Sequence, residues 1–342
     1  MIIKKKLSLE ILLEQQVLAF NGSPPESAGA LLRGSVILNL KEAISFVSLD
    51  LQLLGVVYQN WNEVRGNQSI LHFSNNALVD RRWELVKPGP KNHTLPAGVH
   101  TFDFEYVFNG SLPVTIHLDN GGIEYKLEAT LYRGFLRGNT VTRKEIIVRR
   151  YPDLFNSELA QAVHLCSEWS NILTYEISLP SRMVGFDENI PVDFKLDRIR
   201  STTQILKVGC YIRENITNHI PKADTNLVEE SWIKLSSISP RELQSQSLSL
   251  NVRISPRNVH FSCNTKWFTV DHILAFKVKL KDAHLGTRVV SLEVPVLVLS
   301  SNTRDVVQSL PPYTFSETPN SPFVQPPPYI ENENLVSRAI SV

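Results

Sequence analysis

Ile123-Glu124-Tyr125-Lys126-Leu127-Glu128-Ala129-Thr130-Leu131 decides the fold class: apolar residues take every odd position, charged or polar ones every even position. Successive side chains of a β-strand point to opposite faces, so this run sends one face into a core and the other into water. The same period returns at Val47/Leu49/Leu51/Leu53, Phe102/Phe104/Tyr106/Phe108, Ile190/Val192/Phe194/Leu196 and Leu206/Val208/Cys210/Ile212. It returns again at Leu248/Leu250/Val252/Ile254, at Leu274/Phe276/Val278/Leu280 and from Val290 to Val298. Turn signals separate the runs: Asn21-Gly22, Pro88-Gly89-Pro90, Pro96-Ala97-Gly98, Asn120-Gly121-Gly122 and Asp282 to Gly286. Helical spacing is confined to Asp153–Cys166, where Leu154, Leu159, Ala162, Val163 and Cys166 predict a short amphipathic helix. Many strands punctuated by turns predict an all-β fold of packed sandwiches, not a parallel α/β sheet.

The alternation divides the chain. It runs to about Tyr132, gives way to the basic segment Arg143–Arg150 and to Tyr151-Pro152, and restarts near Ile172. This predicts two β-sandwich lobes, an N-lobe over 1–150 and a C-lobe over 169–300, with an interlobe linker over 151–168. Beyond Ser300 no alternation survives, and residues 301–342 hold seven of the chain's 20 prolines. Such a segment cannot bury enough apolar area to offset its ordering entropy, so a disordered Pro-rich C-terminal tail is expected.

The totals exclude several classes. Of the 342 residues, 42% are hydrophobic, enough for real cores. The 35 basic and 34 acidic side chains nearly cancel, which argues against a nucleic-acid binder driven by phosphate neutralisation. The three N-terminal lysines are not followed by an apolar leader core, and no run of about 18 apolar residues occurs, so neither a secretory signal nor a transmembrane span is expected. Five Asn-x-Ser/Thr sequons, at Asn21, Asn67, Asn92, Asn109 and Asn215, are then read as turn-rich asparagines, not glycosylation sites.

Catalytic patterns are missing. The chain has no Gly-x-Ser-x-Gly elbow, phosphate-cradling Gly-rich loop, His-Glu-x-x-His or Cys-x-x-Cys. No enzymatic activity, cofactor or metal is expected. Cys166, Cys210 and Cys263 are too scattered for a disulfide framework and read as reduced core thiols. His260, Cys263, Asp271 and His272 lie close in sequence, but on alternating strands they are not expected to converge as ligands.

The chemistry that is present lies in the tail. Pro326-Pro327-Pro328-Tyr329 is a full PPxY, and Leu310-Pro311-Pro312-Tyr313 is an LPxY variant. Consecutive prolines pre-set a polyproline II helix, so little entropy is lost when their rings fill the aromatic groove of a WW domain. The tyrosine one turn on fills a second pocket. Tyr313 and Tyr329 are 16 residues apart, a flexible span of about 20–24 Å that lets two WW modules of one partner engage together. The basic residues Arg143, Lys144, Arg149 and Arg150 form a second candidate, for contact with acidic lipid headgroups or an acidic cytosolic segment, against the plainer reading of a solvated strand. Ser/Thr-Pro pairs at Ser239, Ser255, Thr318 and Ser321 are candidate phosphorylation sites; the last two lie between the tyrosine motifs.

These residues resemble a known family. Leu95-Pro96-Ala97-Gly98 with Phe102 and Phe104, then Leu112-Pro113, then Gly122 to Ala129, are similar to the signature of the α-arrestin N-lobe. Leu9–Leu12, Leu32–Leu38 and Leu49–Gly55 resemble its opening strands, and Tyr175–Pro180, Ile190–Val192, Asp271–Leu274 and Val294–Val296 resemble its C-lobe. The likeness covers nearly all of residues 7–300 and is strongest to the fungal arrestin-related trafficking adaptors. It implies an arrestin-like fold and an adaptor whose PPxY motif, here Pro326, Pro327 and Tyr329, binds the WW domains of a HECT-type ubiquitin ligase. Leu310, Pro311 and Tyr313 would make the second contact, with Leu in place of the first proline. The resemblance further implies that the lobes recognise cytosolic segments of plasma-membrane transporters or receptors, whose ubiquitination leads to endocytosis or sorting. The adaptor would itself carry ubiquitin on a C-lobe lysine, with Lys222, Lys234 and Lys266 as candidates. It would be cytoplasmic, with recruitment to the plasma membrane, endosomes or Golgi and peripheral membrane association. Two other readings stay open: an arrestin-fold sorting-coat subunit, retromer-like, with incidental prolines, and a carbohydrate-active β-sandwich.

Overall fold

The computed structural model describes residues 7–134, 138–152, 158–220, 225–238 and 247–300. They form two β-sandwiches. The N-lobe strands are β1 (Leu7–Leu13), β2 (Val17–Asn21), β3 (Ala30–Leu40), β4 (Ile44–Phe46), β5 (Ser48–Arg65), β6 (Gln68–Val86), β7 (His93–Leu95), β8 (Gly98–Phe108), β9 (Ile116–Leu118), β10 (Gly121–Tyr132) and β11 (Thr140–Tyr151). One sheet has the order β1-β3-β8; the facing sheet runs β2-β11-β10-β5-β6, with β9 beside β10. The alternating run from Ile123 to Leu131 is the centre of the larger sheet. Ile123, Tyr125, Leu127, Ala129 and Leu131 are fully buried, while the residues between them are half-exposed.

The C-lobe repeats the plan. Its strands are β12 (Val163–Trp169), β13 (Leu173–Leu179), β14 (Met183–Gly185), β15 (Ile190–Arg198), β16 (Gln204–Ile220), β17 (Thr225–Ile238), β18 (Ser247–Val252), β19 (Cys263–Asn264), β20 (Phe268–Asp282) and β21 (Gly286–Leu299). A four-stranded sheet β12-β13-β15-β18 faces a sheet of order β14-β21-β20-β16-β17, with β19 beside β20. In each lobe a short early strand runs parallel to the lobe's last long strand, β2 beside β11 and β14 beside β21.

Two expectations change. Over the described part of 153–166 no α-helix forms: Glu158–Ala160 make one 3-10 turn, and Val163 begins a strand whose register pairs Val163 with Leu179 and Leu165 with Ile177. Cross-strand pairing with β13 overrides the helical spacing, and it places β12 inside the C-lobe sheet although the linker was read as reaching residue 168. Cys166 therefore stands exposed on the outer face of β12, whereas Cys210 is buried and Cys263 half-buried, so only two of the three thiols are removed from solvent. Burial pushes both of those thiols up to about 12.

Each lobe has its own apolar core, but β20 contributes to both. Leu274, Phe276, Val278 and Leu280 lie in the C-lobe core, while Phe268 and Val270 at the other end of the strand are buried in the N-lobe core beside residues such as Val57, Ile116 and Ile123. A buried phenylalanine contributes roughly 1.5–3 kcal/mol, so this strand binds the lobes together. Gly121 makes room for it. Its φ of 149° is one that side chains rarely adopt, and a Cβ there would stand 2.9 Å from Phe268 and 2.4 Å from the Tyr58 carbonyl oxygen.

Candidate functional site

The waist between the lobes holds the molecule's most concentrated polar chemistry. On β16 the alternation Cys210, Ile212 continues inward to Glu214, so a carboxylate lands where a core residue belongs. Its cross-strand partner on β20 is His272. His272 Nε2 lies 3.1 Å from Glu214 Oε2, and its Nδ1 lies 2.8 Å from Ser262 Oγ. His260 donates its backbone N–H to Glu214 Oε2 at 2.7 Å and sets its Nδ1 3.2 Å from Oε1. Burial pushes the Glu214 carboxyl up, but the bonds from His260 and His272 outweigh it and hold it at about 2. The same carboxylate, countered by burial and helped by Asp119 of the N-lobe, raises the His260 imidazole above its ordinary value. Ser262 extends the network to the last strand: its Oγ accepts the Val298 N–H at 2.9 Å, and its own N–H donates to the Val298 carbonyl at 2.8 Å.

Further bonds cross the waist. Gln59 of β5 is buried, and its Nε2 donates to Asn218 Oδ1 at 2.6 Å and to the His219 carbonyl at 2.7 Å. Asn120 donates to Glu229. Beside this polar seam a groove of about 1300 Å³ opens between the lobes, with Leu112, Pro113 and Arg150 on one wall and Phe261, Trp267 and Leu299 on the other.

His260 and His272 meet on Glu214 as hydrogen-bond partners, not as a ligand set with Cys263 and Asp271. The partner that brings them together lies 46 and 58 residues away. A local reading had one signal available: a glutamate at an inward strand position. No cluster of metal-ligating side chains occurs among the described residues.

The basic segment does not form one patch, because β11 alternates. Arg143 points outward and pairs with Glu128 at 2.6 Å. Lys144 lies opposite Leu127, and Arg149 opposite Ala19. Arg150 is half-buried, lies 5.3 Å over the Phe20 ring, and donates to the carbonyls of Gly22, Gly110 and Leu112. The role of its guanidinium is to clasp the N-lobe loops, and it is not free for a lipid headgroup. Lys234 is exposed on β17 opposite Tyr211, and Lys266 is exposed at the groove rim, 5.7 Å over Trp267. Lys222, Ser239 and the tail residues Leu310, Pro311, Tyr313, Thr318, Ser321, Pro326, Pro327 and Tyr329 lie outside the described residues. No helix among the described residues is long and apolar enough to cross a membrane.

Two sandwiches of matched topology, joined through a shared strand and a polar waist, define an arrestin-fold molecule. Residues 21–154 match the family described as Arrestin (or S-antigen), N-terminal domain, and residues 169–303 match its C-terminal domain. The chain belongs to the arrestin family. Among its relatives is an arrestin domain-containing protein of Schizosaccharomyces pombe, 26% identical over 306 residues, which covers 85% of this chain and 51% of that protein. Another is the probable HECT-type ubiquitin ligase-interacting protein creD of Aspergillus terreus, 25% identical over 317 residues, 84% of this chain and 54% of that protein. The creD protein of Aspergillus oryzae is 28% identical over 216 residues, 61% of this chain and 35% of its own length. The chain spans about half or less of the length of these relatives.

Proposed function

We propose that this chain is a non-enzymatic, cytoplasmic adaptor that recruits a WW-domain HECT-type ubiquitin ligase to membrane-protein cargo. The observation that carries the reading is the pair of tyrosine motifs, Leu310-Pro311-Pro312-Tyr313 and Pro326-Pro327-Pro328-Tyr329, following two arrestin lobes. The relatives named as HECT-type ubiquitin ligase-interacting proteins support it.

In this reading the division of labour is physical. Pro326 and Pro327 present a polyproline II ridge, and Tyr329 fills the adjoining pocket of the WW domain. Leu310, Pro311 and Tyr313 add a second contact that raises avidity without a new protein. The lobes hold cytosolic segments of transporters or receptors, and the ligase transfers ubiquitin to the cargo and to the adaptor, with Lys222, Lys234 and Lys266 as acceptors. Recruitment to the plasma membrane, endosomes or Golgi follows from the cargo. Of the basic residues first considered for membrane contact, Lys144 and Arg149 remain available for peripheral association.

The test is a pull-down with an isolated tandem WW module. Tyr329→Ala combined with Tyr313→Ala abolishes capture while leaving thermal unfolding of the lobes unchanged. Undiminished capture by the double variant would defeat the proposal. A stoichiometric partner retained after deletion of 301–342 would favour a sorting-coat subunit instead.

A further inference from the structure

The two sheets of the N-lobe end together on one side. β6 is the terminal strand of the larger sheet and β8 that of the smaller one; among the described residues neither has a partner on its outer edge. Between these edges lies a cleft of about 590 Å³, lined by Leu78, Arg81, Trp83, Glu105, Tyr106 and Val107. An unpaired edge presents a row of backbone donors and acceptors that another strand can complete.

The floor of the cleft is aromatic and braced from behind. Trp83 lies 5.8 Å from Phe104 and 6.2 Å from Tyr106, and Tyr106 meets Phe108 edge-on at 5.3 Å. Trp83 and Tyr106 are only half-buried, and neither the indole N–H nor the phenol has a hydrogen-bond partner among the described residues. Trp, Tyr and Arg are the residues that dominate binding energy at protein interfaces.

The charge at the cleft is also uneven. The carboxylate of Asp80 accepts from Gln52 at 2.7 Å, and Glu105 lies 3.5 Å from Arg33. Arg81 is exposed, stands 5.8 Å over the Trp83 ring and has no carboxylate partner among the described residues. Asp80 keeps its charge but lies opposite Leu54, on the other face of β6, so on the face shared with Trp83 the charge is that of Arg81. Register places Arg81 and Trp83 on one face of β6, opposite Leu53 and Leu51, so two alternate positions of an edge strand offer a cation and an aromatic surface side by side.

We infer that the β6 edge is a docking site for an extended segment of a partner protein that adds as an antiparallel strand. The segment would carry an apolar or aromatic residue opposite Trp83 and an acidic residue opposite Arg81. Because same-face neighbours on a strand are two residues apart, and an antiparallel partner runs backward along β6, the motif reads apolar-x-acidic. Backbone bonds to β6 supply affinity, and the two side chains select the sequence. The site is drawn from β6 and β8 alone, and the double tyrosine variant below separates it from ligase recruitment.

The probe is a fluorescein-labelled peptide of ten residues, Thr- and Val-rich, with a central Phe-Thr-Glu, titrated with the full chain by fluorescence anisotropy. Saturable binding is expected, together with slowed amide exchange across residues 78–84. Replacing the peptide Glu with Lys, or a central Thr with Pro, lowers affinity at least tenfold, as does Arg81→Glu in the protein. Trp83→Ala is the weaker variant, because the ring also packs on Phe104; Arg81 is exposed and its replacement leaves the fold intact. Binding persists in the Tyr313→Ala, Tyr329→Ala double variant. No saturation, or binding indifferent to Arg81→Glu and to the Glu-to-Lys peptide, overturns the inference. So does concentration-dependent self-association of Arg81→Ala without peptide binding, which would make Arg81 a guard against edge-to-edge pairing with a second copy.

Discussion

Glu214 shows what one buried charge does when its neighbours are chosen for it. Removed from water, its carboxyl would be neutral; with two imidazoles and a backbone N–H bonded to it, it stays ionised down to about pH 2. A carboxyl held below its ordinary 4.5 contributes stability that is complete above that value and lost as pH falls through the lower one. Glu214→Gln is therefore expected to cost on the order of 2–3 kcal/mol at neutral pH. The gap to the wild type should close between about pH 4.5 and 2, as read by urea unfolding across a pH series. His260 works in the opposite sense. Its raised value means a contribution present below about 6.5 and lost as pH rises through the folded value. In Glu214→Gln this second slope disappears too, and an NMR titration of the His260 ring should show its midpoint move down. A ring that titrates identically in both proteins would refute the coupling.

At the scale of elements, β20 is the decisive piece. It runs from Phe268 in the N-lobe core to Leu280 in the C-lobe core, so the lobes share a strand as well as a surface. Phe268→Ala is expected to cost about 3–5 kcal/mol. It should also split calorimetric unfolding into two transitions, because it removes the larger of the two side chains that β20 buries in the N-lobe core and leaves only Val270 there. A single unshifted transition would contradict this. Gly121→Val pushes against the same ring and against the Tyr58 carbonyl, in a backbone conformation hostile to side chains, and should reproduce the split. The strands themselves were readable from period-two alternation, since burial of one face is a local demand. The described part of the Asp153–Cys166 stretch, from Glu158 on, departs from its helical spacing for the same reason. Its helical spacing is real, but Val163 and Leu165 gain more from pairing with Leu179 and Ile177, partners that no local window contains.

Across the whole molecule, folded lobes and proline motifs are expected to act as separable parts. Two motifs 16 residues apart should gain most from a partner with two WW modules. Tyr313→Ala is thus expected to weaken binding to a tandem module by about tenfold or more, through lost effective concentration, yet barely change binding to a single module that takes the Pro326–Tyr329 motif. Equal losses with both would show that the two motifs do not cooperate. Urea unfolding of the lobes should be the same in wild type and in a chain ending at residue 300.

What the chain order alone determined is whatever depends on near neighbours: which residues alternate, where turns interrupt them, and which prolines precede a tyrosine. Those patterns carried the all-β sandwich class and the tail motifs. Tertiary structure decided the rest. It divided Arg143, Lys144, Arg149 and Arg150 between the two faces of one strand, tied Arg150 to three carbonyls, and left β6 and β8 without outer partners among the described residues. It also brought His260 and His272 onto Glu214 across 46 and 58 residues. The reason is register: strand pairing sets contacts between residues far apart in the chain, and the free energy that selects one register is the burial of a whole core, which no short stretch of sequence contains.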